Sequence, residues 1–349
     1  MVSIFRSRLR WLVKLLFAAT LLLVVASLVG WREIGHTLLN VDLRLVSLGW
    51  GISLVSRYGE AFQMSRLMRH VGMTVGPLRI LLANSLSVLY GMILPGDIVA
   101  AAAKWMNLAA YTGKRSLVLN AIVYNRPMLL MPWLVAGALA LALHNPWNSQ
   151  AMLVAVIGLA TVVTMGFLML YGRRTGPKLD AIALAVSHRV APVWVEEKLG
   201  YLFRSLGQLR ELPWHVHARI LGLGIINMAI QVILFIIMAA AVEIDISWYL
   251  LVWTRAALVL VRQLPVTFNG IGVREGTLVA ILGQFGVAEE AAFSLGVLGF
   301  TNIAMFACVG GIYQIALTFG WSRSGVAAHD EQLAAKPECS PIRRLDGER

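Results

Sequence analysis

Three stretches of this chain run on without a single charge: residues 151–171 (AMLVAVIGLATVVTMGFLMLY), 127–143 and 291–321. Each approaches or exceeds the roughly 20 apolar residues an α-helix needs to cross a ~30 Å hydrocarbon core. Only 14% of the 349 residues are charged, against about 25% in an ordinary soluble domain. The chain therefore reads as an all-α polytopic membrane protein. A further apolar segment near 12–31 follows FRSRLRWLVK and lacks a small-x-small cleavage site, so it reads as an uncleaved signal anchor. The net charge of +12 would raise nucleic acid as a partner for a soluble protein; here the positive-inside rule accounts for it, and no nucleic acid is expected.

Loop charge sets the orientation. Arg6, Arg8, Arg10 and Lys14 stand without an acid before the first segment, and residues 172–219 carry eight Lys/Arg against four acids. Both regions are expected in the cytoplasm. The uncharged loop 144–150 and the acidic EIDIS at 243–247 are expected outside. These placements constrain the crossings between them. Residues 78–111 must enter and leave on the cytoplasmic side, where Arg66, Arg69, Lys114 and Arg115 also belong; the uncharged arm ILLANSLSVLYGMIL would be about 22 Å long, short of a span. By the mirrored argument, 247–287 should be a hairpin opening to the outside. The expected architecture is six full crossings with two opposed re-entrant hairpins and inverted-repeat character, both termini being cytoplasmic in the plasma (inner) membrane. Eight plain crossings are the competing count. Residues 1–320 form one membrane domain, and the polar tail 321–349 is expected to be disordered.

Each hairpin tip breaks the helical pattern: YGMILPGDIVAAAAKW at 90–105 and RQLPVTFNGIGVREG at 262–276. Pro95, Gly96, Pro265, Gly270, Gly272 and Gly276 are the expected breaks. Non-helical backbone at membrane depth is tolerated where it is buried in protein or lines a wet cavity. Broken segments at matching positions in two halves point to a transporter's binding site, and half-helix N-termini suit a phosphate. Lys104, Arg126, Arg255, Arg262 and Arg274 lie in otherwise apolar stretches with Asp97 and Glu275 as the nearby acids. That surplus of bases fits an anionic head group. The plainer reading makes Arg274–Glu275 and Arg57–Glu60 internal ion pairs, while the other basic side chains snorkel to the interface.

The order LPGD, KW and NRP (125–127), then LPVTFNGIGVREG and LGQFGV, resembles the flippase-like family, the transmembrane-domain family of lysylphosphatidylglycerol synthetases, over roughly residues 10–320. Gly270, Gly272, Val273, Arg274, Glu275 and Gly276 carry the more specific match. In the first motif Asp97 follows Gly96 directly, and Lys104 takes the place of the family's Arg. The resemblance implies a stand-alone member without the soluble synthetase domain, translocating an anionic or aminoacylated phospholipid or a polyprenyl-linked glycolipid between leaflets. Asp97, Lys104, Arg126, Arg255, Arg262, Asn269, Arg274 and Glu275 are then the candidate head-group contacts, with membrane lipids as partners. The other readings are a non-transporting partner of a lipid or glycan synthase, and a membrane enzyme acting on a lipid phosphate. No catalytic motif, no nucleotide-binding loop such as GxxxxGKS and no cofactor are expected.

Val195, Leu199, Leu202, Leu206 and Leu209 suggest an amphipathic helix at the cytoplasmic interface, with Lys198, Arg204 and Arg210 off its apolar stripe. His215 and His217 read as a loop pair without a third metal ligand, and only two cysteines occur, Cys308 and Cys339. Asn227, Gln231, Asn302 and Gln314 are expected to cross-link helices.

Overall fold

The computed structural model describes residues 39–93, 97–143, 150–182, 206–262 and 272–318. The first apolar segment, the hairpin tips at 94–96 and 263–271, the amphipathic stripe from Val195 to Leu202 and the tail 321–349 lie outside them. Every major element is helical: α1 (Leu43–His70), α2 (Pro77–Ile93), α3 (Asp97–Thr112), α4 (Arg115–Leu143), α5 (Gln150–Tyr171), α6 (Trp214–Ala240), α7 (Trp248–Val261), α8 (Val273–Leu282) and α9 (Glu289–Thr318). Among the described residues four helices are long and apolar enough to span a membrane: Arg115–Leu143, Val154–Tyr171, Trp214–Ala240 and Glu289–Leu317. The 28-residue α1 is also long enough, but it carries Arg44, Arg57, Glu60, Arg66 and Arg69. The helices of the two expected hairpins are short. α2 and α3 have 17 and 16 residues, and α7 and α8 have 14 and 10. At ~1.5 Å per residue the four run from about 26 Å down to about 15 Å, each less than the ~30 Å core.

Two apolar clusters mark the ends of the bundle. One gathers Leu67 of α1, Ile80 of α2, Leu108 of α3, Leu117 of α4 and Ile220 of α6. The other gathers Val46 of α1, Met238 of α6, Leu251 of α7, Leu282 of α8 and Leu295 of α9. Both outer ends of α2/α3 thus sit at one end of the bundle, and both outer ends of α7/α8 at the other. Lys114 closes the first pair by donating from Nζ to the Gly72 carbonyl at 2.9 Å. Gly72 and Gly113 turn the chain there with φ of 73° and 69°, a region that favours glycine. At the opposite end Asp42 caps α1, its Oδ1 accepting from the Arg44 N–H at 2.8 Å.

At the centre α1 and α6 run antiparallel. Ser56 donates to Asn227 Oδ1 at 3.0 Å, and Gln63 donates to the Ile220 carbonyl at 3.1 Å. A Cβ on Gly49 would strike the Met238 side chain. A shift of 170 residues carries 43–70 onto 213–240, 77–93 onto 247–263, 97–112 onto 267–282 and 115–143 onto 285–313, within a few residues of α6, α7, α8 and α9 at most of their ends. The packing follows the same exchange: α9 lies on α2 as α4 lies on α7, and α8 lies on α9 as α3 lies on α4. α5 packs on α4, and Val154, Ile157, Val162 and Met165 point outward.

Small residues let these helices approach. Gly224 faces the Met128 carbonyl, at 2.8 Å from where its Cβ would be, and that carbonyl is the one Pro132 leaves without its helical donor. Gly310 of α9 sits on the backbone of α2, where a Cβ would come within 2.3 Å of the Ser85 carbonyl.

Three expectations change. Gly276 lies in the first turn of α8, its N–H bonded to Gly272 O at 2.9 Å, so it does not break the helix. Arg210 is buried: it forks onto Asp180, with one bond of 2.8 Å, and donates from Nε to Leu170 O at 2.9 Å. The sequence pattern put it off the apolar stripe because an isolated helix reading cannot see a carboxylate thirty residues upstream. His215 and His217 belong to the start of α6, and the Nδ1 of His217 is hydrogen-bonded to the Tyr124 hydroxyl.

Gly310→Val should drive a side chain into the α2 backbone and cost about 1–3 kcal/mol, whereas Gly311→Val has nothing within 4 Å to meet. A thermal melt of the two purified variants checks this: the midpoint falls for the first and stays near wild type for the second.

Candidate functional site

A cavity of about 570 Å³ lies between the inner ends of the two hairpins. Lys104 reaches it from α3, Arg126 from α4, Arg255 and Arg262 from the end of α7, and Arg274 from the start of α8. These are all five of the bases the sequence singled out. Arg57 and Glu60 of α1 join them. Among the described residues the lining therefore holds six bases and one acid, in a bundle whose outer surface is apolar. Side chains of this kind are costly at membrane depth unless they face water, a partner or a ligand.

The cations are supported in three ways. Arg255 donates from Nη2 to Gln231 Oε1 at 3.1 Å, and Gln231 donates from Nε2 to Glu60 Oε1 at 3.3 Å, so one relay joins α7, α6 and α1. The Arg255 guanidinium also lies 5.7 Å from the Trp133 ring and 5.8 Å from that of Phe235. Arg57 stacks on Phe306 at 4.8 Å. Ring faces attract cations electrostatically without neutralising them.

Arg274 differs. Its Nε donates to Glu275 Oε1 at 3.1 Å, its Nη2 bonds the same oxygen, and Glu275 Oε2 accepts from the Gly272 N–H at 2.8 Å. Gly272 has φ 82°, which begins α8 in a conformation open to glycine. Both charged side chains are buried. They press on a glycine face of α9: a Cβ on Gly296 would lie 2.8 Å from Glu275 Cγ, and one on Gly299 would lie 3.7 Å from the guanidinium carbon. The RE pair of the second motif thus locks the end of its hairpin while one edge of Arg274 faces the cavity. Of the two ion pairs in the plainer sequence reading, this one is present. Glu60 instead accepts from Gln231.

The side chains of Asp97 and Asn269, and the tip residues Pro95, Gly96, Pro265 and Gly270, lie outside the described residues. Asn227, Gln231 and Asn302 line the cavity besides bridging helices or their own backbone. Arg57 and Glu60 were legible as charges one helical turn apart in an apolar segment, but their spacing suggested mutual pairing. Asn84 and Asn125 also line the cavity, each with a buried amide oxygen that accepts no hydrogen bond from the described residues. Nothing in an isolated asparagine marks it for that role. Among the described residues no group of three metal-ligating side chains occurs.

The sequence model of the lysylphosphatidylglycerol synthase TM region matches residues 11–310. The chain belongs to this family. No curated protein gives a significant match, and no solved structure does. Membership, together with the apolar helices, makes this a multi-pass membrane protein of a lipid-related family. The family match contains both hairpins and every charged residue of the cavity.

Breaking the Arg274–Glu275 pair leaves a buried charge without its partner, which costs about 3–5 kcal/mol. Arg274→Ala and Glu275→Ala should each lower the thermal midpoint strongly, while the double Arg274→Leu, Glu275→Gln variant recovers much of the loss. A loss in the double variant equal to the sum of the two single losses would show that the pair is not coupled.

Proposed function

We propose that this protein moves an anionic phospholipid or a polyprenyl-linked glycolipid between membrane leaflets without hydrolysing a nucleotide. The observation that carries the reading is the cationic cavity between two hairpins that open toward opposite ends of the bundle. Such a cavity gives a phosphate head group a polar path at membrane depth, while acyl or prenyl chains stay in the surrounding hydrocarbon. Lys104, Arg126, Arg255 and Arg262 meet the head group. Arg274 and Glu275 hold the second hairpin in shape beside it.

In the full reading, α2/α3 and α7/α8 are re-entrant and six helices cross the inner membrane. Both termini lie in the cytoplasm, the end marked by Lys114, Arg115, Arg173 and Arg174. The antiparallel α1–α6 pair and the 170-residue correspondence support an inverted repeat, in which one half rocks against the other to expose the cavity alternately. An enzyme acting on a lipid phosphate needs a free base or nucleophile. Asp97 and Glu275 are its candidates, and Glu275 is committed to Gly272 and Arg274, which leaves Asp97 for that alternative. Nothing in the site favours a scaffold that transports nothing.

Two measurements test this. In vesicles containing fluorescent phosphatidylglycerol or a short polyprenyl-phosphate sugar, wild type should speed transbilayer movement. Lys104→Gln and Arg126→Gln should slow it at least about tenfold, the loss of one charge-assisted hydrogen bond of ~1.5–3 kcal/mol, with unchanged thermal midpoints. Normal movement by both variants would sink the assignment. For topology, Arg115→Cys and Asp245→Cys, both exposed positions, are made in a background where Cys308 and Cys339 are serine. An impermeant thiol reagent applied outside intact cells should label position 245 and spare 115.

A further inference from the structure

We infer that the cavity is built for a head group carrying at least two negative charges on adjacent phosphates, a lipid diphosphate rather than a simple phosphodiester. This rests on the translocase reading above and narrows its substrate.

Among the described residues the cavity lining carries a surplus of positive charge. Six bases line the cavity, and Glu60 is the one acid among them. Glu275 neutralises Arg274 from behind. The tips at 94–96 and 263–271 have the sequences LPG and QLPVTFNGI, with no charged residue. Asp97 is the one acid beside them. Counting Asp97 as well, three acids stand against six bases, a net surplus of three positive charges among these residues. A phosphodiester brings one negative charge, and a phosphomonoester brings about 1.5 to 2 at pH 7. A diphosphate brings at least two, spread over two adjacent phosphates, and comes nearest the surplus.

The form of the bases agrees with the count. Five of the six are arginines, whose planar forks match phosphate oxygens two at a time. They come from α1, α4, α7 and α8, so they surround the space instead of lining one wall. Arg57 and Arg255 rest on rings, which hold a guanidinium while leaving its charge uncancelled. The amide oxygens of Asn84, Asn125 and Asn302 lie in the same lining without a donor from the described residues. They can accept from hydroxyls of a group carried on the phosphates. A cationic aminoacyl head group fits poorly, because among the described residues its ammonium would find the carboxylate of Glu60, already bonded by Gln231, amid six bases.

The test uses the full chain in detergent micelles. Four lipids with identical dioleoyl tails are titrated: diacylglycerol diphosphate, phosphatidic acid, phosphatidylglycerol and lysylphosphatidylglycerol. The diphosphate should bind at least tenfold more tightly than phosphatidylglycerol, and the lysyl lipid no better than phosphatidylglycerol. Lys104→Gln and Arg126→Gln should each weaken the diphosphate by a factor at least threefold larger than that by which they weaken phosphatidylglycerol. Equal affinities for diphosphate and phosphodiester, or equal losses for both in the variants, overturn the proposal. Inorganic diphosphate is titrated alone; affinity as high as that of the diphosphate lipid would mean a soluble polyanion and overturn the lipid assignment. Movement of the same lipids in vesicles separates the two readings. A preserved binding preference with no movement of any lipid sinks the translocase and leaves the polyanion site standing. Fast movement of phosphatidylglycerol with no binding preference does the reverse.

Discussion

Hydrocarbon does not solvate a guanidinium, and much of this structure can be traced to that fact. An arginine inside a bilayer needs water, a counter-charge or a ring face. The bundle supplies all three around one space: a cavity, the carboxylates of Glu60 and Glu275, and the rings of Trp133, Phe235 and Phe306. The cavity in turn requires helices that stop short of a full crossing, because a continuous helix would fill the space. The short α3, α7 and α8 are therefore connected to the buried charges by one physical requirement. Their inner ends sit where the bases gather.

The packing that holds this space open is made of small residues and amides. Glycines 224 and 310 let helices touch at backbone distance, Gly49 leaves room for the Met238 side chain, and Ser56–Asn227 and Gln63–Ile220 fix the register of α1 against α6. Between membrane helices there is little hydrophobic gain from association, so close packing and hydrogen bonds carry it. The same helices bring Arg57, Glu60, Asn227 and Gln231 to the cavity. Register along one helix pair thus sets both the stability of the core and the position of two of the seven charged lining residues.

Much of this was legible in the sequence. A base inside an apolar run is conspicuous, and Lys104, Arg126, Arg255, Arg262 and Arg274 were all found for that reason. The expected hairpin limits, 78–111 and 247–287, came from loop charge and parity, and the helices found there run over 77–112 and 248–282. What escaped depended on contacts across the chain. Arg210 resembles any interfacial arginine until Asp180 is folded against it. Glu60 and Arg57 are one turn apart on a helix and invite pairing, yet Gln231 and Phe306 claim them. The 170-residue correspondence was hidden because the halves share geometry with few identities. Leu94-Pro95 and Leu264-Pro265 are the visible trace.

That correspondence sets Lys104 opposite Arg274, and Trp105 opposite Glu275. The two hairpins thus have matched shapes and unmatched restraints. In the second, the carboxylate next to the base grips both the base and the start of its helix, as a bolt holds a bracket. In the first, a tryptophan takes that place, and its indole N–H reaches away to the Arg115 carbonyl at the outer end of the helix. The α7/α8 arm is thus bolted by its own carboxylate, and among the described residues the α2/α3 arm has no counterpart to that bolt.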